Sequence, residues 1–177
     1  ALILGCEEMF ERAKRVRSHG INYLDNNHNI KKDRPWYYEQ NELGYNYRIT
    51  EMQAAMGIVQ ISRLSSFLKK RNELSDLYKE KLKNLPLKFQ LVEGNSMCSY
   101  HLFTIKITDK SYDRDELFRF LRSHQVASQV HYIPVYRQPF YRSLGFGENY
   151  CENVEEYFSS CLSIPLHQKL NESDIDF

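Results

Sequence analysis

Apolar positions recur with different periods along the chain, and the changes of period mark its elements. Ala1–Leu4 is a short apolar run that predicts the end of a buried strand. Glu7–Arg17 predicts a charged helix that stops at Gly20. Residues 21–42 (INYLDNNHNIKKDRPWYYEQNE) have no period, and this predicts a long loop of the kind used as a lid or an interface arm. From Thr50 a helical period runs through Met52, Ala55, Met56 and Val59. It resumes at Leu64, Phe67, Leu68, Leu74 and Leu77 and continues toward Leu85, too far for one straight helix. A bend near Ser65 and Ser66 is expected, with Pro86 as the stop.

Beyond Pro86 the period shortens. Leu87–Val92 and Ser99–Ile107 alternate as strands, and Asp113 caps a helix that reaches about Ser123. Val126–Ile133 predicts a further strand, and a turn-rich stretch surrounds Gly145 and Gly147. A helix from about Glu152 to Ser159, a last strand at Cys161–Ile164 and a final helix toward Phe177 complete the α+β pattern.

Composition narrows the function classes. With 24 basic and 23 acidic residues the formal charge is +1, so no bulk field draws the chain to nucleic acid or an anionic membrane. No apolar stretch approaches the roughly 20 residues needed to cross a bilayer. The four cysteines, Cys6, Cys98, Cys151 and Cys161, form no CxxC pair, which argues against structural zinc and leaves free thiols as the expectation. The 13 tyrosines are many, and they suit either subunit and sugar contacts or a Tyr-rich genome.

One segment stands out for its chemistry. In LGYNYRITEMQAAMG, Leu43–Gly57, an amide (Asn46) and a guanidinium (Arg48) sit in a loop that runs straight into a helix. Thr50 and Gln53 have the spacing of a capping box. Donors ahead of a helix N-terminus favour an anion, because free backbone N–H groups and the dipole point the same way. Asn46 reads equally as a turn residue bonding its own loop. Arg48 can hold a diphosphate through its fork or pin the acidic helix start at Glu51.

The same segment, with three other blocks in order, resembles the DegT/DnrJ/EryC1/StrS sugar-nucleotide aminotransferases. The blocks are ALILGCEEMFERAKRVRSHG at the start, SYHLFTIKI with RDELFRFL and SQVHYIPVYRQPFYRSLGF in the middle, and CLSIPLHQKLNESD near the end. The wording of QVHYIPVYRQPFY is most similar to the branch that makes pseudaminic-acid precursors. The resemblance implies an α/β protein, the C-terminal half of a PLP-dependent transferase of the aspartate aminotransferase type I fold. Residues 1–62 would be the end of the large cofactor domain with a lid or interface loop at 21–49. Residues 63–85 would be a connecting helix, and 86–177 a small α+β domain.

The resemblance also implies roles. Asn46 would reach the phosphate of pyridoxal 5'-phosphate (PLP) in the neighbouring subunit, and Arg48 would meet the substrate. Gln129, Val130, His131 and Tyr132 would face the sugar nucleotide, two of the four through their side chains. The catalytic lysine would lie upstream of Ala1, so no lysine of this chain inherits that role. The substrates would be glutamate and a UDP-linked 4-keto sugar, the assembly a cytoplasmic homodimer with shared active sites, with neither nucleic acid nor membrane as partner and no metal. A lysine-less sensor of the same fold and an aromatic nucleic-acid-binding sheet are the rival readings, the second opposed by the missing basic footprint.

Further residues with reactive or charged side chains have plain structural readings. His101 reads as a hydrogen-bonded core histidine, and its spacing from Cys98 lacks the second pair a metal site needs. His19 reads as a structural residue at a helix C-terminus. Lys69, Lys70 and Arg71 read as a solvated helix face.

Overall fold

The computed structural model describes residues 3–22, 36–94, 96–148 and 150–177, which form two compact units, 1–61 and 62–177. The start of the expected first strand and positions 23–35 of the expected loop lie outside the described residues. Ile3 is exposed and unpaired. The strand expected there needs neighbours to complete its hydrogen bonds, and no described segment supplies them.

In the first unit, α1 (Glu7–Arg17) forms where predicted. Glu7 and Glu8 fill its first turn and Lys14, Arg15 and Arg17 its last, an arrangement that complements the helix dipole. His19 and Gly20 follow with φ of 64° and 71° and turn the chain back. The expected structureless loop is closed at its base by a short antiparallel ladder. In it β1 (Ile21–Asn22) pairs with β2 (Glu39–Gln40). Next to the ladder, Glu42 accepts from Arg12 Nε and Arg15 Nε at 3.1 Å each. The Arg12 hydrogen bond leads in holding this carboxyl below its ordinary range. The unit ends in α2 (Glu51–Ser62), which is apolar on several sides and buries no residue.

The helical period breaks at Arg63, two residues before the predicted place, and α3 runs Leu64–Lys81. Ser66 Oγ donates to the Arg63 carbonyl at 2.7 Å and so stabilises the break from just beyond it. Arg71 departs from the expected solvated face. It is half-buried, and its Nη1 donates to the carbonyls of Ser99 and Tyr100 at 3.4 Å each.

The second unit is built on an antiparallel sheet ordered β3 (Leu87–Phe89), β4 (Phe103–Ile107), β5 (Cys161–Ile164). Phe103 pairs with Ile164 and Ile105 with Leu162, while Thr104 faces Ser163 and Lys106 faces Cys161. Because side chains alternate across a strand, the two sets occupy opposite sheet faces. Phe103, Ile105 and Leu162 join Leu74, Tyr78, Tyr100 and Leu166 in the core. The other face carries Thr104 and Ser163, and Lys106 there meets Glu156 of α6 (Glu152–Ser160) at 2.7 Å. Asp113 caps α4 (Arg114–Ser123) as predicted, accepting from the Glu116 N–H at 2.8 Å. The turn-rich stretch holds α5 (Pro139–Ser143) between two 3-10 turns. α7 (Glu172–Asp176) opens with a capping box of Asn171 and Asp174.

The predicted strand over Val126–Ile133 shrinks to one bridge, Gln129 with Ser163. The Val126 N–H bonds the Leu121 carbonyl and the Ser128 N–H bonds the Val126 carbonyl, at 2.9 Å each. The segment therefore spends its backbone donors on turning away from α4, and Pro134 at its far end has no N–H to give.

Candidate functional site

In the first unit, residues 45–47 cross the end of α1 as an added strand. The Tyr45 N–H donates to Val16 O at 2.8 Å, the His19 N–H to Tyr45 O at 2.8 Å and the Tyr47 N–H to Arg17 O at 2.9 Å. Asn46 bridges Ser18 at the centre of this crossing. His19 takes part in this crossing through its backbone, and Gln40 Nε2 also donates to its carbonyl at 2.8 Å. Tyr45 and Tyr47 stack with centroids 4.9 Å apart, and both are exposed.

This crossing holds Asn46 and Arg48 at the surface, where Arg48 Nε donates to Asn46 Oδ1 at 3.4 Å. The long bond engages the amide's only acceptor, so its NH2 and the two Nη groups of Arg48 remain as donors. Arg48 forms no ion pair with Glu51 or another acid among the described residues. Next in the chain, Thr50 and Gln53 form the reciprocal box, with the Gln53 N–H to Thr50 Oγ1 at 3.3 Å and the Thr50 N–H to Gln53 Oε1 at 3.0 Å. An amide and a guanidinium placed before a helix N-terminus offer donors that fit a phosphate.

In the second unit the four residues 129–132 divide by environment. Val130 is half-buried and packs against the core. Gln129 is exposed, and its backbone exchanges two bonds with Ser163, at 3.0 and 2.8 Å. His131 is half-buried with Nδ1 2.9 Å from Ser163 Oγ, and Tyr132 is exposed with its ring edge-on to the imidazole at 4.6 Å. His101, expected in the core, is exposed instead, because β4 begins two residues later at Phe103.

Ser163 was missed in the sequence. It sits in the CLSIPLH block, but only the strand register brings it to His131. Among the described residues no group of three His, Cys, Asp or Glu side chains is placed to hold a metal ion. No helix among them is long and apolar enough to cross a membrane.

All of residues 1–177 match the DegT/DnrJ/EryC1/StrS aminotransferase family. The chain belongs to this family. A UDP-4-amino-4,6-dideoxy-N-acetyl-beta-L-altrosamine transaminase of Campylobacter jejuni is 36% identical over 179 residues, covering 100% of this chain and 45% of that protein. The Helicobacter pylori aminotransferase PseC, involved in the biosynthesis of pseudoaminic acid, has the same fold with a TM-score of 0.82. Its identity is 26%, over 97% of this chain and 44% of PseC. The PLP form of the Streptococcus pneumoniae sugar aminotransferase Spr1654 shares the fold at a TM-score of 0.81 and 24% identity, over 96% of this chain and 41% of that one. This DegT/DnrJ/EryC1/StrS chain therefore has the α/β fold of the PLP-dependent sugar aminotransferases and spans a little under half the length of these relatives.

Proposed function

We propose that the whole protein transfers an amino group from glutamate to C4 of a UDP-linked 4-keto-6-deoxy sugar, for a cell-surface or flagellin glycan. The amide and guanidinium donors of Asn46 and Arg48 ahead of α2 carry this reading, because such donors suit an anionic cofactor or a nucleotide diphosphate. Membership of the family and the names borne by the Campylobacter and Helicobacter relatives supply the sugar class. In this reading residues 1–62 are the edge of the large cofactor domain, 63–85 the connecting helix and 86–177 the small domain.

PLP, when bound, supplies the electron sink through which an amino group is taken from a donor and passed to a ketone. The chain's own part is placement. Asn46 gives its amide hydrogens to the cofactor phosphate across a homodimer interface, Arg48 holds the diphosphate, and Gln129, His131 and Tyr132 line the sugar-nucleotide pocket. Val130 anchors that segment to the core rather than touching the ligand. A lysine that acts as a nucleophile needs a neutral amine, which Lys81 and Lys106 do not offer. Lys81 and Lys106 are held above their ordinary range by hydrogen bonds to Asp176 and Glu156.

Two substitutions in the whole protein test these roles. Asn46→Ala should speed cofactor loss, since hydrogen bonds to a charged acceptor are worth roughly 1–3 kcal/mol. The defect should be complemented in mixed dimers with a partner that keeps Asn46. An unchanged rate of cofactor dissociation would reduce Asn46 to a turn residue.

His131→Ala should raise the KM of the sugar-nucleotide half-reaction about tenfold, the scale of one lost hydrogen bond. The glutamate half-reaction should stay near the wild-type rate. Each half is followed separately by the cofactor's absorbance. If both halves collapse together, His131 supports the fold rather than the sugar.

A further inference from the structure

His131 is fixed by a chain of hydroxyls on the face of the sheet away from the core. Thr104 Oγ1 lies 3.2 Å from Ser163 Oγ, and Ser163 Oγ lies 2.9 Å from His131 Nδ1. Ser163 is buried, with 5% of its surface exposed, and these two groups are the only partners of its hydroxyl among the described residues. Its backbone is also locked, exchanging both bonds with Gln129 two residues before the imidazole.

The order of donation along the chain follows from counting hydrogens. If Thr104 donates to Ser163 and Ser163 donates to Nδ1, both hydroxyl hydrogens have acceptors within the protein. If Nδ1–H instead donates to Ser163, then Ser163 must donate to Thr104. The Thr104 hydrogen, on a half-buried residue, then has only solvent to bond. Hydroxyls rotate to meet whichever order satisfies the most groups. The first order is the one that bonds both hydroxyl hydrogens within the protein, and it leaves the neutral ring protonated on Nε2. Nε2 has no partner among the described residues and is not one of the buried unpaired atoms, so it is open to solvent.

We infer that Ser163, backed by Thr104, is a positioning residue that holds His131 in the Nε2–H tautomer and so presents a hydrogen-bond donor to an oxygen of the sugar nucleotide. The inference rests on the reading of His131 as a substrate contact. It extends that reading by specifying the kind of group that binds there, an acceptor such as a phosphoryl or carbonyl oxygen. A bare ring nitrogen would instead select a hydroxyl or amine.

The test reads the tautomer directly, by long-range proton–nitrogen spectra of the full chain labelled with 15N-histidine, at mildly alkaline pH. The wild type should show His131 protonated on Nε2. Ser163→Ala should give a mixture of both tautomers, Ser163→Thr should restore the wild-type form, and Thr104→Val should release the constraint in part. A wild-type ring protonated on Nδ1, or a tautomer unmoved in both Ser163→Ala and Thr104→Val, would overturn the inference.

In the whole protein, Ser163→Ala should weaken binding of UDP-N-acetylglucosamine about fivefold, the scale of one neutral hydrogen bond, with Ser163→Thr restoring it. The tautomer is measured without ligand. If it responds as expected while His131→Ala binds that nucleotide sugar as tightly as the wild type, the hydroxyl chain stands and the substrate-site reading is what fails.

Discussion

Phe103→Ala should remove about 3–5 kcal/mol of stability from the second unit, the range for deleting a buried aromatic ring. Phe103 is 1% exposed at the centre of its core. Its ring lies 5.2 Å from Tyr78, 5.9 Å from Phe89 and 6.0 Å from Tyr100, so one truncation strips contacts from three other rings. Helix α3, β3 and the entry to β4 all lose packing together. Phe103→Leu, which keeps much of the volume, should cost clearly less. Denaturant titration of the two variants measures both losses, and a Phe103→Ala loss under about 1 kcal/mol would mean that the core refills the space.

The same strands that bury this core also carry the polar chain to His131. Phe103 and Leu162 point inward, and their neighbours Thr104 and Ser163 point to the other face. Alternation along two paired strands thus ties stability to site geometry. A collapsed core at Phe103 would shift Thr104 and Ser163 as well, so Phe103→Ala should also disturb the His131 ring. A surface change at Tyr132, which is exposed, should leave the core untouched.

How much of this was legible in the sequence follows from the range of each signal. Local signals served well. The Thr50–Gln53 box and the Asp113 cap depend on residues within one helical turn, and both appear as read. Alternation also found β4 and β5, though it set the start of β4 four residues early. It failed at Val126–Ile133, because alternation says which side chains share a face and not whether a neighbouring strand is there to pair. Arg71 reads as a solvated cation until the carbonyls of Ser99 and Tyr100, which are distant in sequence, fold over it.

The site divides in the same way. Asn46, Arg48 and the segment 129–132 came from motif wording, while Ser163 and Thr104 depend on a strand register that no local pattern encodes. The family itself was legible because the motif blocks fall in order along nearly the whole chain, and the match over residues 1–177 agrees.

The least legible feature leads to the second large effect. Gly20 reads as a helix stop and Gly44 as one residue of the loop that runs into α2, yet the fold presses their backbones together. A Cβ on Gly44 would lie 2.1 Å from the Gly20 nitrogen, 2.6 Å from the His19 carbonyl carbon and 2.8 Å from the Val16 oxygen. All three are backbone atoms, so no side chain can swing aside. A Cβ on Gly20 would sit 1.7 Å from the Glu42 oxygen, at a φ of +71° that disfavours any side chain. Gly44→Ala must therefore open the crossing in which Tyr45 and Tyr47 bond the end of α1 and Asn46 bridges Ser18.

The stability cost of Gly44→Ala should reach or exceed the 1–3 kcal/mol typical of overpacking. In the whole protein, PLP retention should fall at least as far as in Asn46→Ala, because the amide is displaced rather than deleted. The contrast between the two variants is the decisive measurement. Asn46→Ala should lose cofactor with little change in melting temperature, whereas Gly44→Ala should lose both. If Gly44→Ala instead melts and retains cofactor like the wild type, the two backbones do not meet as described, and the placement of Asn46 at the surface loses its support.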